Sequence, residues 1–250
     1  MTVRVVWACA LLGCGRIGFV PGDSRIGDGV GAEDMAAPSC PAGALLCDDF
    51  ESGTTAKWTR SASAQGGTAT ITSANPHSGA LSLEVDCAAQ AMNDCQGALE
   101  LDFSPQTTGV LAVREWLNTT TTMQHFDLVA QVETLAPFQY SSAGGNDFGM
   151  WVSTELGPPG NMGPDHTSAT STPAPGTWTC LELVYTFSGA AGAARIQMFV
   201  DEASVLDMPA NDTNSATYNN VAVGISRADK AGFHVFVDDV VIANARIHCN

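Results

Sequence analysis

Leu181-Glu182-Leu183-Val184-Tyr185-Thr186-Phe187 decides the fold. In an extended chain successive side chains point to opposite faces. Leu181, Leu183, Tyr185 and Phe187 then share one face, and Glu182, Val184 and Thr186 share the other. The same period of two recurs on both sides of this stretch. Leu81, Leu83 and Val85 alternate with Ser82, Glu84 and Asp86; Leu99, Leu101 and Phe103 alternate with Glu100 and Asp102. Phe126, Leu128, Ala130 and Val132 follow it, as do Ile196, Met198 and Val200. Phe233, Val235 and Val237 open a last strand expected to run to Ile247. Clusters rich in turn residues separate the runs: Asn75–Gly79, Ser141–Asn146 and Ser188–Gly192. No window sustains a helical period, and there is no internal repeat. Many short strands with one solvated face each predict an all-β chain, an antiparallel two-sheet β-sandwich.

Charge narrows the partners. The chain carries 26 acidic and 10 basic residues, a formal charge of -16. Such a surface repels phosphate backbones, so nucleic acid is excluded as a partner. Anionic polysaccharides are disfavoured unless a basic pocket or bound cations intervene.

The N-terminal residues predict export. Val5 to Gly13 is an apolar run of nine residues behind Arg4. As a helix it reaches about 14 Å, too short for a bilayer core of about 30 Å. Leu11-Leu12-Gly13-Cys14 then resembles the lipobox of bacterial lipoprotein signals, in which the cysteine becomes the lipidated first residue. The competing reading is an ordinary secretion signal cleaved elsewhere. The expected organisation is a signal peptide over 1–13, a flexible lipoprotein tether over 14–39 and a β-sandwich over 40–250. The tether is Gly-, Ala-, Asp- and Pro-rich and has too little apolar surface to order itself; as a coil it reaches about 25–30 Å. The expected location is the bacterial cell envelope, in the outer membrane or at the cell surface, with the lipid as the sole membrane contact.

Six cysteines remain in the domain: Cys40, Cys47, Cys87, Cys95, Cys180 and Cys249. An even number in an exported chain predicts disulfides, and no C-x-x-C pair suggests zinc or redox chemistry. Loop-closure entropy ranks Cys40–Cys47, Cys87–Cys95 and Cys180–Cys249 first. Cys47–Cys249 with Cys40–Cys180 is the competing arrangement.

Several segments in order resemble concanavalin A-like, laminin-G-like jelly rolls of exported bacterial proteins. Cys47-Asp48-Asp49-Phe50-Glu51-Ser52-Gly53 with Trp58 is similar to their opening strand, and His77-Ser78-Gly79-Ala80-Leu81-Ser82-Leu83 to the turn and strand that follow. Val110 to Trp116 resembles a central strand. Trp178-Thr179-Cys180-Leu181-Glu182 and Phe199-Val200-Asp201 look like paired strands, with Glu202 where a glycine is usual. Val237-Asp238-Asp239-Val240-Val241-Ile242 resembles the closing strand. A galactose-binding-like jelly roll is the alternative.

The resemblance implies a family of lectins, binding modules, hydrolases and lyases. It leads us to expect a surface-tethered, non-catalytic module for carbohydrate, most readily neutral glycans. The alternatives are a polysaccharide lyase or glycoside hydrolase with a diverged site, or a structural envelope lipoprotein. Sugar rings stack on aromatics, so Trp116, Tyr140, Trp151 and Trp178 are candidates for the ligand, with Tyr218 beside them. Glu84-Val85-Asp86 and Glu100-Leu101-Asp102 lack the third acid of the glucanase pattern. Arg114, His125, Gln131 and Tyr140 are the residue types a lyase would use. No Gly-x-Ser-x-Gly or His-Glu-x-x-His motif suggests a protease. Asp48, Asp49 and Glu51 near one end and Asp238 and Asp239 near the other form an expected structural calcium site if the first and last strands are neighbours. The competing reading is a solvated acidic face, or acids paired with Arg246. The proline-rich stretch Leu156 to Gly176 is a long loop, functional or a plain insertion.

Overall fold

The computed structural model describes residues 40–87, 95–106, 108–121, 126–133, 139–146, 149–156, 166–168, 172–188, 194–209, 218–228 and 232–249. Cys14, the tether and His125 lie outside the described residues. Among the described residues there is no helix. The strands are β1 (Leu46–Asp48), β2 (Arg60–Ala64), β3 (Thr68–Thr72), β4 (Ser82–Asp86), β5 (Cys95–Gln106), β6 (Thr108–Thr119), β7 (Phe126–Glu133) and β8 (Gln139–Asn146). They continue with β9 (Gly149–Leu156), β10 (His166–Ser168), β11 (Thr179–Ser188), β12 (Arg195–Val200), β13 (Ala203–Pro209), β14 (Tyr218–Ala228) and β15 (His234–Ala243).

They form two antiparallel sheets, a jelly-roll sandwich. Sheet A runs β13-β12-β11-β6-β15-β4-β3, and β1 also pairs with β15. Sheet B runs β10-β9-β8-β7-β14-β5-β2. The opening and closing strands are neighbours, as expected: Leu46 pairs with Ile242, Cys47 with Val241 and Asp48 with Val240. β4 pairs with the first half of β15 and β1 with the second.

The apolar halves of the alternating runs meet between the sheets. Leu111, Val113 and Leu117 of β6, Leu181, Leu183 and Tyr185 of β11 and Val221, Val223 and Ile225 of β14 belong to one buried core. Tyr185 meets Tyr218 edge-on at 4.9 Å between ring centroids. Tyr218 is thus 1% exposed in the core, which removes it as a ligand contact. Glu115 shares the inward parity of Val113 and Leu117. It is fully buried, neither carboxyl oxygen has a hydrogen-bond partner among the described residues, and burial pushes its pKa well above the usual carboxylate range.

Three bridges pin the sandwich: Cys40–Cys47, Cys87–Cys95 and Cys180–Cys249. Cys87 follows β4 of sheet A and Cys95 opens β5 of sheet B, so that bridge ties the sheets together. Two sequence expectations are corrected here. Ser141–Asn146 is no turn but most of β8, paired on both sides by β7 and β9; tertiary pairing overrides its turn-like composition. The last strand ends at Ala243 rather than Ile247. Beyond it the tail is captured by side chains of sheet A: Glu182 Oε1 accepts the Ile247 N–H at 2.6 Å, Glu202 accepts the Cys249 N–H, and Ile247 packs beside Ala112, Val184 and Phe199.

The β12–β13 hairpin turns at Asp201 and Glu202, both left-handed with φ of 47° and 68°. Neither is glycine, so the turn is strained. Their side chains hold it: Asp201 Oδ1 accepts the Cys180 N–H at 2.9 Å, and Glu202 meets Arg246 at 2.8 Å.

Candidate functional site

Two polar constellations stand on the outer faces, one per sheet. The first grows from the pairing of β1 with β15. β15 bulges against β6 between Asp238 and Val241, and Asp239 takes a φ of 47° there. Asp238 is fully buried; its carboxylate accepts the N–H groups of His77 (2.9 Å), Ser78 (3.2 Å) and Asp239 (2.8 Å). Burial, with the Asp239 charge adding to it, pushes its pKa up to about 7. Asp239 accepts the Ser78 hydroxyl at 2.9 Å and meets His77 Nδ1 at 2.7 Å. Glu51 grips the same turn from the other side, its Oε1 accepting the Ala80 and Leu81 N–H groups at 2.7 Å each. Gly79 permits this approach, since a Cβ there would stand 2.5 Å from Glu51 Oε1.

Asp48 is buried and accepts from Trp58 Nε1 at 2.7 Å and Lys57 Nζ at 3.1 Å. A cavity of about 350 Å³ opens beside it, lined by the Cys40–Cys47 bridge, Asp48, Asp49, Lys57 and Asp239. The five acids expected to hold calcium therefore separate. Asp48 and Asp49 face Lys57, Glu51 and Asp238 hold the turn 77–81, and Asp239 faces His77. Among the described residues no three His, Cys, Asp or Glu side chains group as a metal site. In kind the donors suit calcium, with hard oxygens on both sides of one turn and a buried carboxylate short of counter-charge; backbone carbonyls would have to complete the shell of six to eight oxygens.

The expected ligand aromatics divide between the sheets. Trp116 and Trp178 come together in sheet A through His77, which stacks on Trp116 at 4.0 Å and meets Trp178 edge-on at 5.3 Å. His77 therefore occupies a face that a sugar ring would need. Tyr140 and Trp151 belong to β8 and β9 of sheet B. Their side chains, and that of Gln131, lie outside what is described. Arg114, considered for a lyase groove, is instead buried in sheet A: it donates to the carbonyls of Asp239 (3.0 Å) and His248 (3.3 Å), and burial lowers its pKa. Arg246 pairs with Glu182 and Glu202 and stacks 3.6 Å over Phe199, away from the five acids.

The second constellation lies on the outer face of sheet B. Backbone register lines up Arg60, Glu100, Ala222, Ala130 and Ser142 across five strands. Arg60 donates to Asp102 Oδ2 at 2.6 Å and pairs with Glu100. Asn220 Nδ2 donates to Asp102 at 2.7 Å and to Glu100 at 3.3 Å. Ala98 and Ala222 pack together outside the main core and leave a floor of small residues beside this network. Ala143 is in the core, so its neighbour Ser142 faces outward. Ser142 is fully buried, and its hydroxyl has no partner among the described residues. Alternation alone makes Glu100 and Asp102 the solvated face of a strand. Their shared parity was readable, whereas Asn220 was hidden in an Asn219-Asn220 pair that resembles turn chemistry.

No protein-family model matches the sequence, and no curated protein matches it. Solved structures share its fold. Endo-beta-1,4-glucuronan lyase from the fungus Trichoderma reesei aligns at 12% identity over 81% of this chain and 96% of its own, with a TM-score of 0.61. The cellulose-induced protein Cip1 aligns at 20% identity over 82% of this chain and 100% of its own, with a TM-score of 0.57. Domain 4 of AbnA, a GH43 extracellular arabinanase from Geobacillus stearothermophilus, in complex with arabinotriose, aligns at 12% identity over 81% and 93%, with a TM-score of 0.54. At such identities the likeness establishes the jelly-roll fold.

Proposed function

We propose that this chain is an exported, lipid-anchored module that binds carbohydrate without cleaving it. The observation that carries this reading is the outer face of sheet B. There Arg60, Glu100, Asp102 and Asn220 form a fixed hydrogen-bonded network in which the Arg60 and Asp102 side chains stay exposed. Sugars are recognised by planar arrays of donors and acceptors of this kind. β8 and β9, which carry Tyr140 and Trp151, belong to the same sheet. The likeness to an arabinanase domain that holds arabinotriose supports carbohydrate as the ligand class.

Binding is favoured over cleavage by where the charges lie. A glycosidase needs two carboxyl groups on opposite sides of the scissile bond. Glu100 and Asp102 are followed by Pro105 where the glucanase pattern needs its third acid, and both are held by one guanidinium. The arginine weighed for a lyase, Arg114, is buried in the other sheet. A structural calcium belongs to the same reading: it would supply charge neutralisation at the join of the first and last strands, and Glu51, Asp238 and Asp239 would have to leave their N–H, O–H and imidazole partners to reach it.

A glycan array probed with the soluble domain, residues 40–250, tests the ligand class. Each hit is then assayed for new reducing ends and for unsaturated uronate. Binding without product supports the proposal; product formation sinks its non-catalytic half, and an array without hits sinks the whole. The anchor is tested by Cys14→Ser, which should release the protein from membranes.

A further inference from the structure

Resting on the carbohydrate reading of sheet B, we infer that this face selects uncharged polysaccharides and rejects polyuronates, because Arg60, the arginine whose side chain is described there, is already engaged by two carboxylates. Recognition of a uronate needs a cation whose hydrogen-bonding edge is open to a carboxylate. Among the described side chains on this outer face Arg60 is the one cation, and its guanidinium is bound to both Glu100 and Asp102. A uronate could reach it only by displacing one of them.

The local balance is two carboxylates against one guanidinium, a net negative charge. The formal charge of -16 on the whole chain does not set this preference by itself. Charges farther away than about 8 Å are screened at physiological salt. The network within hydrogen-bonding range of the ligand decides instead.

The same groups suit hydroxyls. The Asp102 side chain keeps 41% of its surface exposed, so its oxygens can accept from a sugar O–H while Arg60 and Asn220 hold them in place. An uncharged, hydroxyl-rich chain such as arabinan or a β-glucan brings donors to the exposed Asp102 oxygens; a polyuronate brings carboxylates against carboxylates.

The test is affinity electrophoresis of the intact chain, at low salt and without added divalent cations, in gels containing debranched arabinan, mixed-linkage β-glucan, alginate or polyglucuronate. The wild type should be retarded by a neutral polymer, with binding to both uronates weaker by about tenfold or more. Glu100→Gln with Asp102→Asn frees Arg60 and should gain uronate binding that salt reverses. Asp102→Asn alone should gain less, in the same direction, and covers the case in which the double variant fails to fold. Equal retardation of the wild type by alginate and a neutral polymer overturns the inference and leaves carbohydrate binding standing. Folded variants without any uronate gain also overturn it, since Arg60 would then not be the determinant. Retardation by no polymer in either class removes the carbohydrate reading, and the inference with it.

Discussion

On the outer face of sheet A the side chains of Asp239 and Glu182 have no exposed surface, whereas on the outer face of sheet B those of Arg60 and Asp102 keep 46% and 41%. Both faces come from the polar half of a period-two pattern. They differ in what lies over them. The turn at 77–81 and the tail after Ala243 fold onto sheet A, and the acids there receive backbone N–H groups from both. The sheet B network is built from side chains alone, from β2, β5 and β14. Buried carboxylates that organise backbone are stability elements, since leaving their partners unsatisfied is costly. Exposed, pre-positioned polar groups contribute little to stability and remain available to a ligand. The comparison therefore predicts that substitutions on sheet A change unfolding and those on sheet B change binding.

The largest effect should come from the strap on sheet A. Cys180→Ser with Cys249→Ser opens a bridge between residues 69 apart. Chain entropy puts the loss at about 4 kcal/mol. Denaturant unfolding should show it as a lower midpoint, and carbohydrate retention should be unchanged. A double variant as stable as the wild type would mean that the tail does not seal this face.

Calcium comes next. Adding it after chelation should raise Tm by relieving the charge gathered at Asp238 and Asp239, worth about 2.7 kcal/mol at a hundredfold excess over Kd. Glu51→Gln should abolish the rise. An unchanged Tm in the wild type would reduce these acids to hydrogen-bond acceptors for the turn.

Between the two faces lies Glu115, whose carboxyl is buried without hydrogen-bond partners among the described residues. Its pKa is raised in the fold by burial, so folding is favoured while it stays protonated. Its contribution is complete below the unfolded value of about 4.3 and declines as pH rises from there towards the folded value. Glu115→Leu removes the orphaned oxygens and should stabilise the domain at neutral pH by about 1–3 kcal/mol. Melting curves at several pH values check both parts; a destabilised variant with the wild-type pH slope would refute them.

Period two made β4, β5, β7, β11 and β12 readable, because each buries one face and solvates the other. It could not show where the last strand stops, since Ala243 is followed by a tail that Glu182, Glu202 and Cys180 capture from other strands. It also hid β8 and β14, whose Ser, Gly and Asn residues carry turn chemistry in isolation and become strand only between two partners. At the sites the limit is the same. The neighbouring of β1 and β15 was accessible through resemblance to jelly rolls, and the parity of Glu100 and Asp102 through alternation. That Arg60 and Asn220 converge on them depends on cross-strand register, which no local pattern encodes.

Asp102→Ala is the smallest expected change in stability and the sharpest test of the comparison. Its pair with Arg60 joins two side chains with nearly half their surface exposed, and such pairs contribute under about 1 kcal/mol. Glu100 remains to hold Arg60, so no buried charge is left alone. Binding should respond differently. The variant loses the most exposed acceptor of the network and releases Asn220 from its 2.7 Å contact. A charged acceptor to a sugar hydroxyl is worth about 1.5–3 kcal/mol, or roughly ten- to a hundredfold in Kd. Asp239→Ala is its counterpart on sheet A: it should lower Tm clearly, through loss of the His77 and Ser78 contacts, and leave retention by a neutral polysaccharide intact. Melting curves and affinity gels on the two variants, run side by side, decide the matter. If Asp102→Ala melts early or binds as the wild type does, the division of labour between the two outer faces is wrong.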